Sequence, residues 1–164
     1  MNPNALSGRR GIALIEALVA VLLLSVCALA YAALQMRGLS ANASSMWRSK
    51  ASLLAYDMAD RMRANRSGVS AGRYNSLSGT ATAPSCGTSS ACTPAQMAQL
   101  DFALWTRTLA EQLPGGSGAV CVDASPDDGT ASAPGCDGSG SMFVVKVFWS
   151  ERGVASRLAL AVRP

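Results

Sequence analysis

The chain has 164 residues, 49% of them hydrophobic and 15% charged, with a formal net charge of +4 and no histidine. Without histidine, His-based catalytic triads are excluded and the usual ligand of catalytic zinc is missing. A balance of 14 basic to 10 acidic side chains leaves no electrostatic footprint for direct nucleic-acid binding.

A short leader carrying Arg9 and Arg10 precedes an apolar run from Ile12 to Met36 in which the single charge is Glu16. That run exceeds the roughly 20 residues a helix needs to span a bilayer. A charged group within hydrocarbon costs about 2.5–3.5 kcal/mol on insertion scales, so a carboxylate there marks a functional site with a partner. Three ordinary readings compete. A secretory signal cleaved after Ala28-Leu29-Ala30 would put Glu16 inside its own hydrophobic core. A twin-arginine signal on Arg9-Arg10 lacks the polar flank of that motif. A plain anchor accounts for the length but not for the carboxylate. The order Gly11, then hydrophobic Ile12, then Glu16 at the fifth position from Ile12 resembles the class III signal of type IV pilins and pseudopilins. That resemblance implies cleavage by a prepilin peptidase between Gly11 and Ile12, with residues 1–11 as leader. Losing Arg9 and Arg10 leaves 12 basic against 10 acidic side chains, a net charge of +2.

Basic groups flank the apolar run almost equally, Arg9 and Arg10 before it and Arg37, Arg48 and Lys50 after it, so charge alone does not orient it. The cysteines do. Cys86, Cys92, Cys121 and Cys136 lie beyond the run in loops rich in Gly, Ser, Thr and Pro, and an even set in such loops points to disulfides in an oxidising compartment. The expected topology is therefore a single pass through the inner membrane, N-terminus cytoplasmic and body periplasmic. Cys27, within the apolar run, reads as a small apolar residue. Nearest-neighbour pairing, Cys86 with Cys92 and Cys121 with Cys136, is preferred because each pair closes one short flexible loop at low entropic cost.

Past Met36 the helical pattern continues, because no proline occurs between Pro3 and Pro84. Trp47, Ala51, Leu54, Met58 and Met62 form an apolar stripe at helical spacing, and Asp57 and Arg61 form a favourable pair on another face. One long helix over 12–66 is predicted, its membrane half at 12–36 and its amphipathic half packed on a head over 67–164. Ser67 to Cys92 reads as loop. Thr93-Pro94-Ala95-Gln96 then starts a second helix with a cap, a proline in the first turn and a capping-box glutamine. Its apolar face is expected to include Met97, Leu100, Phe102, Leu104, Trp105 and Leu109, and Pro114 ends it. Ala119 to Val122 reads as a strand, and Met142 to Trp149 and Val154 to Val162 as a hairpin about the turn Glu151-Arg152-Gly153. About three antiparallel strands are expected.

An apolar N-terminal helix feeding a small α+β head resembles the pilin fold. Leu53-Leu54-Ala55-Tyr56-Asp57-Met58-Ala59-Asp60-Arg61-Met62-Arg63-Ala64-Asn65-Arg66 is similar to a stretch of PilV-type minor pilins, whose closing hairpin Phe148-Trp149-Ser150 also fits. Ile12 stands where these proteins usually begin with Phe, so the resemblance implies cleavage more firmly than N-methylation. The missing late proline, with Ala33 near its place, and the terminal hairpin after Cys136 separate the chain from major pilins. The resemblance implies a minor pilin that helps prime type IV pilus assembly near the tip and so supports twitching motility and adhesion. Its partners would be the prepilin peptidase, other minor pilins, the major pilin and the inner-membrane assembly platform. The alternatives are a minor pseudopilin of a type II secretion system and a secreted disulfide-stapled binding domain.

No enzymatic signature is found. The chain has neither a Gly-x-Ser-x-Gly elbow nor a phosphate-binding glycine loop, and Cys86 and Cys92 are too far apart for a redox CxxC. Asp123, Asp127, Asp128 and Asp137 have no EF-hand spacing and read as solvated turn residues, so no metal or other cofactor is expected.

Overall fold

The computed structural model describes residues 7–86 and 90–164, with side chains from Ile12 onward. Met1 to Leu6 of the expected leader lie outside the described residues. By compactness the chain divides into two units, Met1–Ala43 and Ser44–Pro164.

Helix α1, Ser7–Ala64, runs through 58 residues without a break, as expected of a stretch with no proline and only isolated glycines. In the first unit the side chains from Ile12 to Leu39 are exposed, and this is a helix long and apolar enough to cross a membrane. Within the second unit α1 carries the stripe foreseen from its periodicity. Ala51, Leu54, Ala55, Met58, Ala59 and Met62 are buried in one core, and Trp47 packs at its edge under the ammonium of Lys50, 4.9 Å from the ring centroid.

The helix stops at Ala64 rather than Arg66, and a single turn, α2 (Arg66–Ser70), follows. Asn65 makes that junction. Its side-chain carbonyl accepts from the Gly68 N–H at 3.1 Å, and its amide donates to the Pro94 carbonyl at 2.8 Å and the Tyr74 hydroxyl at 3.1 Å. A Cβ on Gly68 would lie 2.5 Å from the Asn65 amide, so a larger residue there would displace the Asn65 side chain that makes the junction. The segment expected to be all loop thus contains a helical turn, and also a two-residue strand β1, Leu77–Ser78.

Helix α3 (Pro94–Gln112) starts on the predicted capping box, Thr93 Oγ1 accepting from Gln96 N at 3.3 Å and Gln96 Oε1 from Thr93 N at 3.0 Å. Ala98, Phe102, Trp105 and Leu109 enter the core, whereas Met97 and Leu104 face outward, so the buried face is narrower than expected. Strands β2 (Ser117–Val122), β3 (Phe143–Glu151) and β4 (Val154–Val162) complete a four-stranded antiparallel sheet in the order β1-β2-β3-β4. The sheet exceeds the expected three strands because β1 pairs Leu77 with Val120. A two-residue strand has too little periodicity to be legible in sequence. Arg152 and Gly153 turn the final hairpin with φ of 53° and 81°, the left-handed pair a two-residue hairpin needs.

Register assigns the two faces of the sheet. Val120, Val145, Val147, Leu158, Leu160 and Val162 face α1 and α3. Cys121, Val144, Lys146, Phe148, Ala159 and Ala161 lie on the opposite face. Val144, Lys146 and Phe148 are nevertheless buried, because the long loop between β2 and β3 lies over them. The fold is α+β, with helices on one face of the sheet and a loop on the other.

Candidate functional site

The residues singled out by the sequence fall into three places. Ile12 and Glu16 sit on the exposed apolar part of α1 in the first unit. Gly11, before the expected cut, lies in the helical backbone. Among the described residues no ion pair involves Glu16. In this unit the helix satisfies its own polar side chains locally, Ser25 Oγ donating to the Val21 carbonyl at 2.7 Å and Gln35 Nε2 to the Tyr31 hydroxyl at 2.7 Å. What remains is an apolar surface with one carboxylate on it.

The second place is the stripe of Trp47, Leu54, Met58 and Met62, which belongs to the head's core. There Trp105 donates its indole N–H to the Leu54 carbonyl at 2.7 Å, and Tyr74 donates its hydroxyl to Asp101 at 2.6 Å. Burial, followed by the hydrogen bond to Asp101, pushes the Tyr74 phenol well above its ordinary range. Arg61 pairs with Asp57 at 3.0 Å, as its spacing predicts, and reaches Asp101 at 3.6 Å.

Third come the cysteines. Cys86 is bonded to Cys92 and Cys121 to Cys136, with Cα separations of 5.1 and 6.0 Å. The first bridge ends beside the Thr93 cap of α3. The second ties the buried middle of β2 to the loop that covers the sheet.

That loop covers the group that sequence reasoning missed. Lys146, in the middle of β3, is fully buried, and its ammonium lies 2.6 Å from Asp123 Oδ2 and 2.7 Å from Asp128 Oδ1. It also donates to the Pro134 carbonyl at 2.9 Å. Asp123, expected to be a solvated turn residue, is buried; its other oxygen accepts from the Ser125 N–H at 3.0 Å. The contact of Asp123 Oδ2 with the ammonium is a charge contact without hydrogen-bond alignment. Burial pulls the Lys146 pKa down, but the two carboxylates outweigh it and hold it above the ordinary lysine value. A lysine within a run of Val and Phe was the available signal, since a buried strand admits a charge only with a partner. Asp127 stays exposed beside Arg157, and Asp137 accepts from the Ser139 and Ala124 N–H groups. Among the described residues no three His, Cys, Asp or Glu side chains gather as a metal site.

The sequence family of Tt1218-like proteins, described as type IV pilin Tt1218, matches residues 33–103. Over that stretch the chain is similar to type IV pilins. The match covers less than half of the chain, from the end of the apolar run through α2, β1 and the first half of α3. It therefore includes the pilin-like stripe of α1 and the Cys86–Cys92 bridge, and leaves out Glu16 and the last three strands. No curated relative and no solved structure matched the chain.

Proposed function

We propose that this chain is a minor pilin: a non-enzymatic subunit anchored in the inner membrane by the apolar part of α1, joining other minor pilins in a complex that primes type IV pilus assembly and ends at or near the tip. The observation that carries the proposal is the similarity of residues 33–103 to type IV pilins, in a chain that also has an exposed apolar helix bearing one carboxylate. After a prepilin peptidase cuts between Gly11 and Ile12, the new α-amino group of a neighbouring subunit comes to the depth of Glu16 in the membrane. Attraction between the two compensates the cost of the buried carboxylate and sets the register of packed helices. Twitching motility and adhesion follow indirectly, as consequences of the pilus. The terminal hairpin after Cys136, in place of a closing disulfide loop, favours a minor subunit over the filament's main component.

A minor pseudopilin of a type II secretion system shares the same anchor and signal. Deleting the gene and scoring surface pili and secreted enzymes separately decides between them. Loss of pili with normal secretion supports the minor-pilin reading; normal pili with lost secretion would replace it.

A further inference from the structure

The sheet ends on β4, and that edge is open. Arg152 and Gly153 make a two-residue turn, so Glu151 and Val154 form the first hydrogen-bonded pair of the hairpin. Bonded and unbonded pairs alternate along an antiparallel ladder. Val154, Ser156, Leu158, Leu160 and Val162 therefore bond to β3, and Ala155, Arg157, Ala159 and Ala161 turn their N–H and C=O groups outward. Among the described residues no turn, loop or cap bond reaches the main chain of those four, and Ala155, Arg157 and Ala161 are exposed. All 9 residues of β4 pair with β3 in unbroken register, without a bulge or a proline. Edges of that length are ordinarily blunted by bulges, prolines or charges. The one charge in β4, Arg157, is turned onto the loop over the sheet, donating to the Asp127 and Gly129 carbonyls.

We propose that β4 accepts an extended strand of a different protein, apolar on the side toward the helices and acidic on the side toward the loop. Main-chain hydrogen bonds to Ala155, Arg157, Ala159 and Ala161 supply the affinity, and alternate side chains the selectivity. On the helix side Leu158 and Leu160 are only partly buried, so apolar residues of the added strand extend the core over them. On the loop side Ala155, Ala159 and Ala161 are small and leave room for larger neighbours, and Ala155, Phe148 and Arg157 line a cavity of about 290 Å³. Charge favours a foreign strand over a second copy. From Arg152 to Arg163 the chain has three arginines and no carboxylate side chain, so self-pairing gathers like charges where an acidic strand finds partners.

The test uses the full chain in detergent micelles and two acetylated peptides, Thr-Val-Glu-Val-Thr-Val-Glu-Val-Thr and the same sequence with Lys for Glu. In the free chain the amides of Ala155, Arg157, Ala159 and Ala161 should exchange with deuterium at least about tenfold faster than those of Ser156, Leu158 and Leu160, read residue by residue by NMR. Saturating glutamate peptide should slow those four by about tenfold or more, and the lysine peptide should bind about tenfold more weakly. Ala159→Pro removes one outward N–H at an edge position that tolerates proline. It should keep the native unfolding midpoint and lose about tenfold in affinity for the glutamate peptide. If that variant unfolds, the exchange pattern and the charge preference still decide. The proposal is overturned if the glutamate peptide leaves the four amides unprotected, or if the lysine peptide binds as tightly. It is also overturned if the peptide-free chain already protects them in a dimer that Ala159→Pro disperses, which would make a second copy the occupant.

Discussion

Trp105 donates its indole N–H to the main-chain carbonyl of Leu54, 51 residues earlier, at 2.7 Å in the buried seam between α3 and α1. A helical carbonyl already serves the amide one turn on, so this second bond fixes where the two helices touch and how α3 is rotated. The same ring fills the space over Gly118 in β2, where a Cβ would lie 2.3 Å from it. One side chain thus sets the spacing of α1, α3 and the sheet.

Trp105→Phe should lower stability by about 1–3 kcal/mol, combining a lost hydrogen bond with a partly emptied site. Gly118→Ala should cost a similar ~1–3 kcal/mol by overpacking against the ring. Combined, the two should cost less than their sum, because a smaller ring relieves the clash with the new methyl. Chemical denaturation of the two single variants and the double variant measures this; strict additivity would mean that Trp105 and Gly118 do not share a site.

The pH dependence has two limbs. The Lys146 hydrogen bond holds the Asp128 carboxyl below its usual range. Its contribution is therefore present above the unfolded value near pH 4 and lost as pH falls through the folded value. Lys146 is shifted up, so its contribution is complete below about pH 10.4 and lost as pH rises through its folded value. Tyr74 also prefers its protonated form in the fold, adding a loss that begins near pH 10. Stability should be flat between roughly pH 5 and pH 10 as far as these groups are concerned. Tyr74→Phe should flatten the alkaline limb while costing about 1–3 kcal/mol at neutral pH, since Asp101 loses a buried donor. Thermal midpoints across pH for native and variant chains check both statements.

The two disulfides should differ in weight. In the chain-entropy model the Cys121–Cys136 bridge, with a sequence separation of 15, is worth about 3 kcal/mol, and Cys86–Cys92, with a separation of 6, about 2 kcal/mol. The first also fastens the loop that Lys146 holds, so the two fasteners should be non-additive. On the proposed topology, removing Cys121 and Cys136 together should reduce periplasmic abundance more than removing Cys86 and Cys92. Immunoblots of periplasm-facing protein, with non-reducing peptide mapping of the native pairs, test this order.

On the proposed minor-pilin function, Glu16→Ala should leave membrane insertion intact, since it removes a cost of about 2.5–3.5 kcal/mol on insertion scales. Incorporation into sheared pili should fall while the membrane pool persists. Normal incorporation in a strain lacking the wild-type copy would rule out charge pairing at Glu16.

Much of this molecule is determined by short-range pattern. The apolar run from Ile12, the stripe through Leu54, Met58 and Met62, the Thr93 capping box and the Arg152-Gly153 hairpin each depend on residues within a few positions of one another, and each was legible before any coordinates. Strand β1 was not, because Leu77 and Ser78 become a strand only by pairing with Val120 and Ala119. Nor was the outward turn of Met97 and Leu104, since which side of α3 is buried depends on where Trp105 meets Leu54. Asp123 is the clearest case. In sequence it has the same turn-rich surroundings as Asp127, yet one is buried and the other exposed. Composition is local, whereas the burial of a charge depends on whether its counter-charge arrives at the same point. Lys146 reaches Asp123 only once β2 and β3 have paired, so the tertiary structure alone decided which aspartate is buried.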